Sequence, residues 1–274
     1  MSSNKLDSLF KKQKDYSTFK IAVTSLNNAG GVGKSTLLES IVELLDFNEV
    51  SRHFASLDPK HGGYTLEKFG QRDEHGNPLP NNEQDPGLGV KLYNGFDERE
   101  RGAYVNQLSA KAEFIAVDTP SEFIDFLLKN VFNGSVQSFV DAHENNNVIP
   151  KFVIPYTEDK CMLSVQELEQ AFSSVSTKLP IHFIIVLNKG LMKDERMILD
   201  MYNKDQAIKM LKKKFKVDTV VLEQKFSPVL QTEAKTRKLI DIAQDENSPV
   251  LDKETALHFI YEISEKLLPV IQSR

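Results

Sequence analysis

The chain has 274 residues, 40% of them hydrophobic and 27% charged, with 34 Lys+Arg against 39 Asp+Glu for a formal net charge of -5. That length fits one large α/β domain or two small ones, and a single α/β layer structure of this size can bury a substantial core. The acidic balance excludes a protein that coats nucleic acid with its whole surface, although a local basic patch stays compatible with it. The lone cysteine, Cys161, excludes an intrachain disulfide and argues against a cysteine-built zinc or iron–sulfur site.

The first residues, MSSNKLDSLFKKQKDYSTFK, carry charges where a secretory signal needs its apolar region. No apolar run approaches the ~20 residues of a membrane span, so the expectation is a cytoplasmic protein without stable membrane insertion. Leu6, Leu9 and Phe10 share one helical side and are followed by lysines, which reads either as a partner or membrane-surface helix or as a frayed tail. Residues 1–18 are accordingly expected to be an extension, and 19–274 a single domain.

From Phe19 onward, short β-branched runs alternate with longer helix-like stretches. Strands are expected at 19–26, 52–58, 113–120, 148–155, 181–188 and 217–223. Several are apolar at successive positions, as in strands covered by helices on both faces. Leu37, Leu38, Ile41, Val42, Leu44 and Leu45 recur at helical spacing over 36–45. Residues 164–179 and 205–215 read as helices as well. Alternating strands and helices imply an α/β fold with a doubly wound, mostly parallel sheet. Residues 71–88, QRDEHGNPLPNNEQDPGL, lack an apolar period and read as a long surface loop.

The chemistry concentrates between the first strand and the first helix, at NNAGGVGKST (27–36). A phosphate-gripping loop needs backbone N–H groups at a helix N-terminus, a lysine for the outer phosphates and a hydroxyl for Mg²⁺. Gly30, Gly31 and Gly33 allow the close backbone approach, with Ala29 and Val32 between them and Thr36 behind. Lys34 is the candidate phosphate lysine and catalytic cation, and Ser35 the candidate metal ligand. The strict pattern places glycine where Asn28 stands, and asparagine is among the residues most tolerant of positive φ. Asp118 ends the apolar run FIAV, where a strand-end carboxylate binds Mg²⁺ through water. Asp58 ends the strand before it and is placed to orient an attacking water.

GGVGKST, LDPKHGG and VDTPSE, in this order, resemble the MinD/ParA family of P-loop ATPases, whose phosphate loop has a deviant Walker A sequence. The resemblance spans about residues 19–240. It implies ATP with Mg²⁺, a sandwich homodimer formed with ATP, slow hydrolysis as a timer and a protein partner that stimulates it. By the same resemblance, Asp58 matches the water-activating aspartate and Asp118 the metal aspartate. Ala29 falls on the family's signature lysine, which reaches across the dimer to the partner's nucleotide. Losing that cation weakens turnover and dimer closure. The loop form N-x-[small]-G-x-V-G-K-[ST] is similar to plasmid stability proteins of the StbB type. The function implied is partition, segregation or mobilisation of plasmid DNA, or positioning of another cargo. Two alternatives stand beside it: an ATP-dependent small-molecule kinase or ligase, and a weakly hydrolysing scaffold.

Farther along, VLNKG (186–190) ends a strand where the base belongs. Leu191 occupies the position of a guanine-reading aspartate, and Asp194 comes three residues too late. Asn188 therefore either hydrogen-bonds adenine or makes a turn. KMLKKKFK packs Lys209, Lys212, Lys213, Lys214 and Lys216 around apolar residues, either as a non-specific DNA contact or as a solvated helix face. The acidic C-terminal stretch aligns Ile260, Ile263 and Leu267 as a docked core helix. His53, His61, His143, His182 and His258 show no metal-ligand spacing.

Overall fold

The computed structural model describes residues 15–97, 99–100, 102–121, 132 and 134–274. Leu6, Leu9 and Phe10 lie outside the described residues. Seven strands form one sheet in the order β3-β2-β4-β1-β5-β6-β7. These are β1 Lys20–Ser25, β2 Arg52–Ser56, β3 Lys91–Leu92, β4 Phe114–Asp118, β5 Val148–Pro155, β6 His182–Asn188 and β7 Lys216–Leu222. Every pairing is parallel.

The apolar runs work as expected for a sheet buried on both faces. Alternate residues serve opposite layers, because successive side chains of a strand point to opposite sides. Ala22, Phe152, Phe183 and Ile185 join one core cluster, with Tyr104, Phe139 and Phe172 from the helices on that face. Ile21, Val23, Val153 and Ile184 join the other, against Leu37, Leu38 and Ile41 of the helix Lys34–Phe47 and Phe259, Ile263 and Leu267 near the C-terminus.

Strand order places the site. From β1 the chain crosses to β2 on one side, and from β4 it crosses back to β5 on the other. The β1 and β4 connections therefore part at the carboxyl ends of two adjacent strands, which opens a crevice there. At the amino ends the C-terminus acts as a strap. The Lys151 ammonium on β5 donates to the Val270 carbonyl at 2.9 Å, Lys216 to Ser273 Oγ at 2.9 Å, and Arg274 to the Ser17 carbonyl at 2.8 Å. Burial, followed by the charge of Lys216, pushes the Lys151 ammonium down to about 7.

The C-terminal helix runs Val250–Glu262, then a wide turn Ile263–Leu267, then Leu268–Gln272. Pro269 lacks the N–H that would close an ordinary turn in this stretch, consistent with the widening.

Residues 71–88 differ from a featureless loop. The buried Gln84 amide accepts from the Gln71 N–H at 2.8 Å and donates to the carbonyls of Leu79 at 2.9 Å and Gln71 at 3.1 Å. Arg52, 4% exposed, pairs with Asp46 at 2.7 Å and donates to the carbonyls of Pro86, Leu88 and Gly89. Polar side chains do the ordering here, so no apolar period could reveal it. Asn81 fastens this segment to the edge strand β3, which is too short to carry a sequence pattern: its Nδ2 donates to the Leu92 carbonyl at 2.9 Å and its Oδ1 accepts from the Leu92 N–H at 2.8 Å. Arg52→Ala should destabilise the fold by about 2–4 kcal/mol in urea unfolding, since it removes a buried guanidinium's bonds to Asp46 and to three carbonyls. Proteolysis should then begin within 71–88.

Candidate nucleotide-binding site

An open cleft of about 530 Å³ lies at the carboxyl ends of the strands and is lined by the phosphate loop, Asp58 and Asn188. Gly31 (φ 75°) and Gly33 (φ 89°) take the left-handed backbone that only glycine adopts without strain, and Gly33 caps the helix Lys34–Phe47. A Cβ on Gly33 would also meet Leu191 Cδ1 at 2.8 Å. The start of this 14-residue helix thus faces the cleft with Lys34, Ser35 and Thr36.

Lys34 is 7% exposed and donates to the Ala29 carbonyl at 3.0 Å and to Ser121 Oγ at 3.3 Å, folding back over its own loop. Burial pushes its ammonium below the usual lysine range, against the charges of Asp118 and Asp58. Ser35 Oγ donates to Asp118 Oδ2 at 2.9 Å and Ser25 Oγ to Oδ1 at 3.0 Å. Asp118 is fully buried; desolvation first, then the nearby Glu39, pushes its carboxyl up to about 6. Its oxygens are bonded by hydroxyls rather than by a cationic side chain. A buried carboxylate beside a serine hydroxyl at a helix N-terminus fits Mg²⁺, which takes few protein oxygens and keeps its waters.

Asp58 lies two residues beyond β2, and its Oδ1 accepts from the Lys60 N–H at 2.8 Å and the His61 N–H at 3.3 Å. Asn188 ends β6; its Oδ1 is buried without a hydrogen-bond partner and its side chain lines the cleft. Beside it stand Leu191, Gln224, Phe226 and Phe259, the last two edge to face at 4.8 Å. Gly190 is what lets this wall close, because a Cβ there would sit 1.9 Å from the Gln224 carbonyl oxygen. Lys189 bridges Glu195 at 3.0 Å and Glu223 at 3.1 Å. Asp194 caps the helix Glu195–Lys204 by accepting from the Met197 N–H at 2.9 Å, which accounts for that carboxylate as a helix cap.

Ala29 is 6% exposed and belongs to the apolar cluster, as does Val32 at 1%. The loop therefore turns this position inward. Asn28 donates its N–H to Ser164 Oγ at 3.0 Å and its side-chain amide to Glu167. Its neighbour Asn27, which sequence reasoning passed over, organises the loop. Asn27 Nδ2 donates to the Pro155 carbonyl at 2.7 Å, and Oδ1 accepts from the Ala29 N–H at 2.7 Å and Ser164 Oγ at 2.9 Å. Lys160 completes the clamp by donating to the Gly30 carbonyl at 3.2 Å. Lys160, Ser164 and Glu167 share one face of the helix Lys160–Phe172 at helical spacing. Nothing local in the sequence could tie that helix to a loop over a hundred residues earlier.

The five-lysine stretch is divided by the structure. Lys209, Lys212 and Lys213 are exposed on the helix Gln206–Lys214. Lys214 donates to the carbonyls of Phe172 at 3.4 Å and Ser173 at 2.5 Å, and Lys216 joins the C-terminal strap. No helix among the described residues is long and apolar enough to cross a membrane, and none of their His, Cys, Asp and Glu side chains forms a metal-binding group of three.

Two outcomes follow. Asn27→Ala should loosen nucleotide binding about 10-fold and speed amide exchange over 28–31, because three buried hydrogen bonds are lost together. A carboxyl at about 6 must lose its proton to hold a cation. Mg²⁺-dependent nucleotide affinity, measured by calorimetry, should therefore rise with pH through 6 and level off above it. In Asp118→Asn that step should be gone.

No family model and no curated protein matches the sequence. Among solved structures the chain is similar to the MinD cell division protein of Aquifex aeolicus, at 16% identity over 89% of this chain and 96% of that one, TM-score 0.48. It is similar to pNOB8 ParA at 13% identity over 89% and 99%, TM-score 0.48. It is also similar to a Cyanothece McdA variant in complex with ATP, at 13% identity over 90% and 97%, TM-score 0.48.

Proposed function

We propose that this chain is an ATP-dependent switch of the MinD/ParA kind. It binds Mg²⁺ and ATP in the cleft, associates into a homodimer in that state, and dissociates after slow hydrolysis stimulated by a protein partner. In this reading the cycle serves partition or mobilisation of plasmid DNA, or positioning of another cargo, in the cytoplasm, and residues 19–274 act as one unit behind an N-terminal extension.

The observation that carries the reading is the joint placement of Lys34, Ser35 and Asp118. A buried lysine ready to exchange its loop carbonyl for phosphate oxygens stands beside a hydroxyl–carboxylate pair that fits a magnesium ion. The backbone from Asn28 to Gly33 surrounds the phosphates, Thr36 supports them from the first helical turn, and Asp58 orients the attacking water. Such catalysis consists of positioning and charge stabilisation, which small displacements of these groups control. The unpartnered Asn188 Oδ1 accepts from the exocyclic amino group of adenine, which favours ATP over GTP.

Ala29 sets the rate. Its side chain is neutral and turned inward, so this position sends no cation toward a partner's nucleotide, and unassisted hydrolysis is slow. Lys209, Lys212 and Lys213 are the lysines of the basic stretch left for a non-specific, salt-sensitive DNA contact, while Lys214 and Lys216 serve the fold.

Lys34→Ala should lose nucleotide binding, and unchanged ATP affinity in that variant would sink the phosphate-loop assignment. Asp58→Ala should keep ATP and hydrolyse it slowly. Sedimented with Mg²⁺ and ATP it should be a dimer, and with ADP a monomer. Equal sedimentation with the two nucleotides would replace the switch by a scaffold whose fold the nucleotide merely stabilises.

A further inference from the structure

The loop after β2 carries, beside Asp58, a histidine that the phosphate machinery does not use. His61 lines the cleft, and its Nε2 meets Glu39 Oε1 at 3.1 Å. Glu39 is 2% exposed and stands one helical turn beyond Ser35, on the phosphate-loop helix. Its carboxylate also accepts from Thr65 Oγ1 at 3.0 Å and pairs with Lys68 at 2.9 Å, itself 2% exposed at the side chain. Burial pushes the Glu39 carboxyl up, but the charge of Lys68 and the bond to His61 outweigh it and hold the group below its ordinary value. Glu39 is thus an anionic anchor with three partners, and one of them reaches into the cleft.

A buried ion pair of this kind is weak evidence for stability, since apolar residues of similar volume serve as well. What this one does is hold an imidazole at a fixed place. Nε2 is engaged and no bond to Nδ1 is present among the described residues, so Nδ1 is left for a group in the cleft. The sheet order says which group. Asn188, Leu191 and Phe226 make the wall on the β6–β7 side, and the phosphate loop follows the central β1. Asp58 and His61 follow β2 on the far side. A nucleotide whose base rests on the first wall ends with its last phosphate at Asp58 and His61.

Resting on the nucleotide reading above, we infer that His61, anchored by Glu39, reads the terminal phosphate and makes the cleft discriminate a nucleoside triphosphate from a diphosphate. As an imidazolium it donates Nε2–H to Glu39 and Nδ1–H to a terminal phosphate oxygen. Two anions, one on each side, favour that protonated form. The other charged or titratable groups around the ring include Asp58 and Lys60 on its own loop, Asp118 from β4, Lys68 behind Glu39, and Tyr64, whose ring centroid is 5.8 Å away and over which the cleft residue Lys235 lies at 5.7 Å. With alanine at 29, Lys34 is the only cationic side chain within the phosphate loop's sequence, and His61 supplies a second donor from outside it.

The test compares the affinities of the full chain for the non-hydrolysable triphosphate AMPPNP and for ADP, both with Mg²⁺, in wild type, His61→Ala and His61→Gln. His61→Ala should lose about 10- to 100-fold for AMPPNP, the worth of one charge-assisted hydrogen bond, while ADP stays within about 2-fold. His61→Gln, which keeps a neutral donor, should fall between. Equal losses for both nucleotides would make His61 a merely structural part of its loop, and no loss for either would remove it from the phosphate; both overturn the inference. A wild type that binds neither nucleotide would overturn the nucleotide reading itself, which separates the two failures. Thermal unfolding midpoints of the variants verify that each is folded when it is measured.

Discussion

The Asp118 carboxylate is the constraint around which the site is built. It is fully buried at the end of β4, and its oxygens accept from Ser25 at the end of β1 and Ser35 in the first turn of the phosphate-loop helix. Two adjacent parallel strands and the helix between them therefore meet on one anion. Burying such a charge is costly unless it is compensated. Two hydroxyl hydrogen bonds do that only in part, which is why its proton is held to about 6. A divalent cation would complete the compensation. The fold and the proposed metal site are in this sense one arrangement: the hydroxyls that lock the crevice are also those a magnesium ion would meet.

Around that anion the molecule distributes its polar side chains by task. On one flank, Ser164, Lys160 and Glu167 of the helix Lys160–Phe172 hold the glycine loop, Ser164 in part through Asn27. On the other, Glu39 ties the phosphate-loop helix to the loop after β2 through His61, Thr65 and Lys68. The loop is held from both sides by elements distant in sequence, so its shape reports the packing of the whole sheet. Rigid support of this kind keeps a binding constellation accurate, because each supporting side chain is itself locked by packing or hydrogen bonds.

Ala29 gains a physical meaning from the same arrangement. Its carbonyl accepts from Lys34 and its N–H donates to Asn27, while its methyl lies in the apolar cluster. The position therefore serves the loop's own geometry.

Much of this was legible in the residues alone. Apolar runs at 148–155 and 181–188 announced the buried strands β5 and β6, since strands covered on both faces must be apolar at successive positions. Glycine spacing before Lys34-Ser35 announced a tight turn that runs into a helix, because glycine takes the left-handed backbone of Gly31 and Gly33 without strain. What lay beyond the sequence was held together by polar contacts across large separations: Gln84 and Arg52 ordering 71–88, Ser164 on Asn27, and His61 on Glu39. Such bonds follow no period and have no local signature. They exist only after the sheet has set which strand ends are neighbours. Periodicity and local backbone need thus carry the layered α/β fold and the glycine turn before the helix Lys34–Phe47. Which distant carboxylates, amides and imidazole surround that loop is settled in three dimensions, because hydrogen bonds depend on proximity in space and not in chain order.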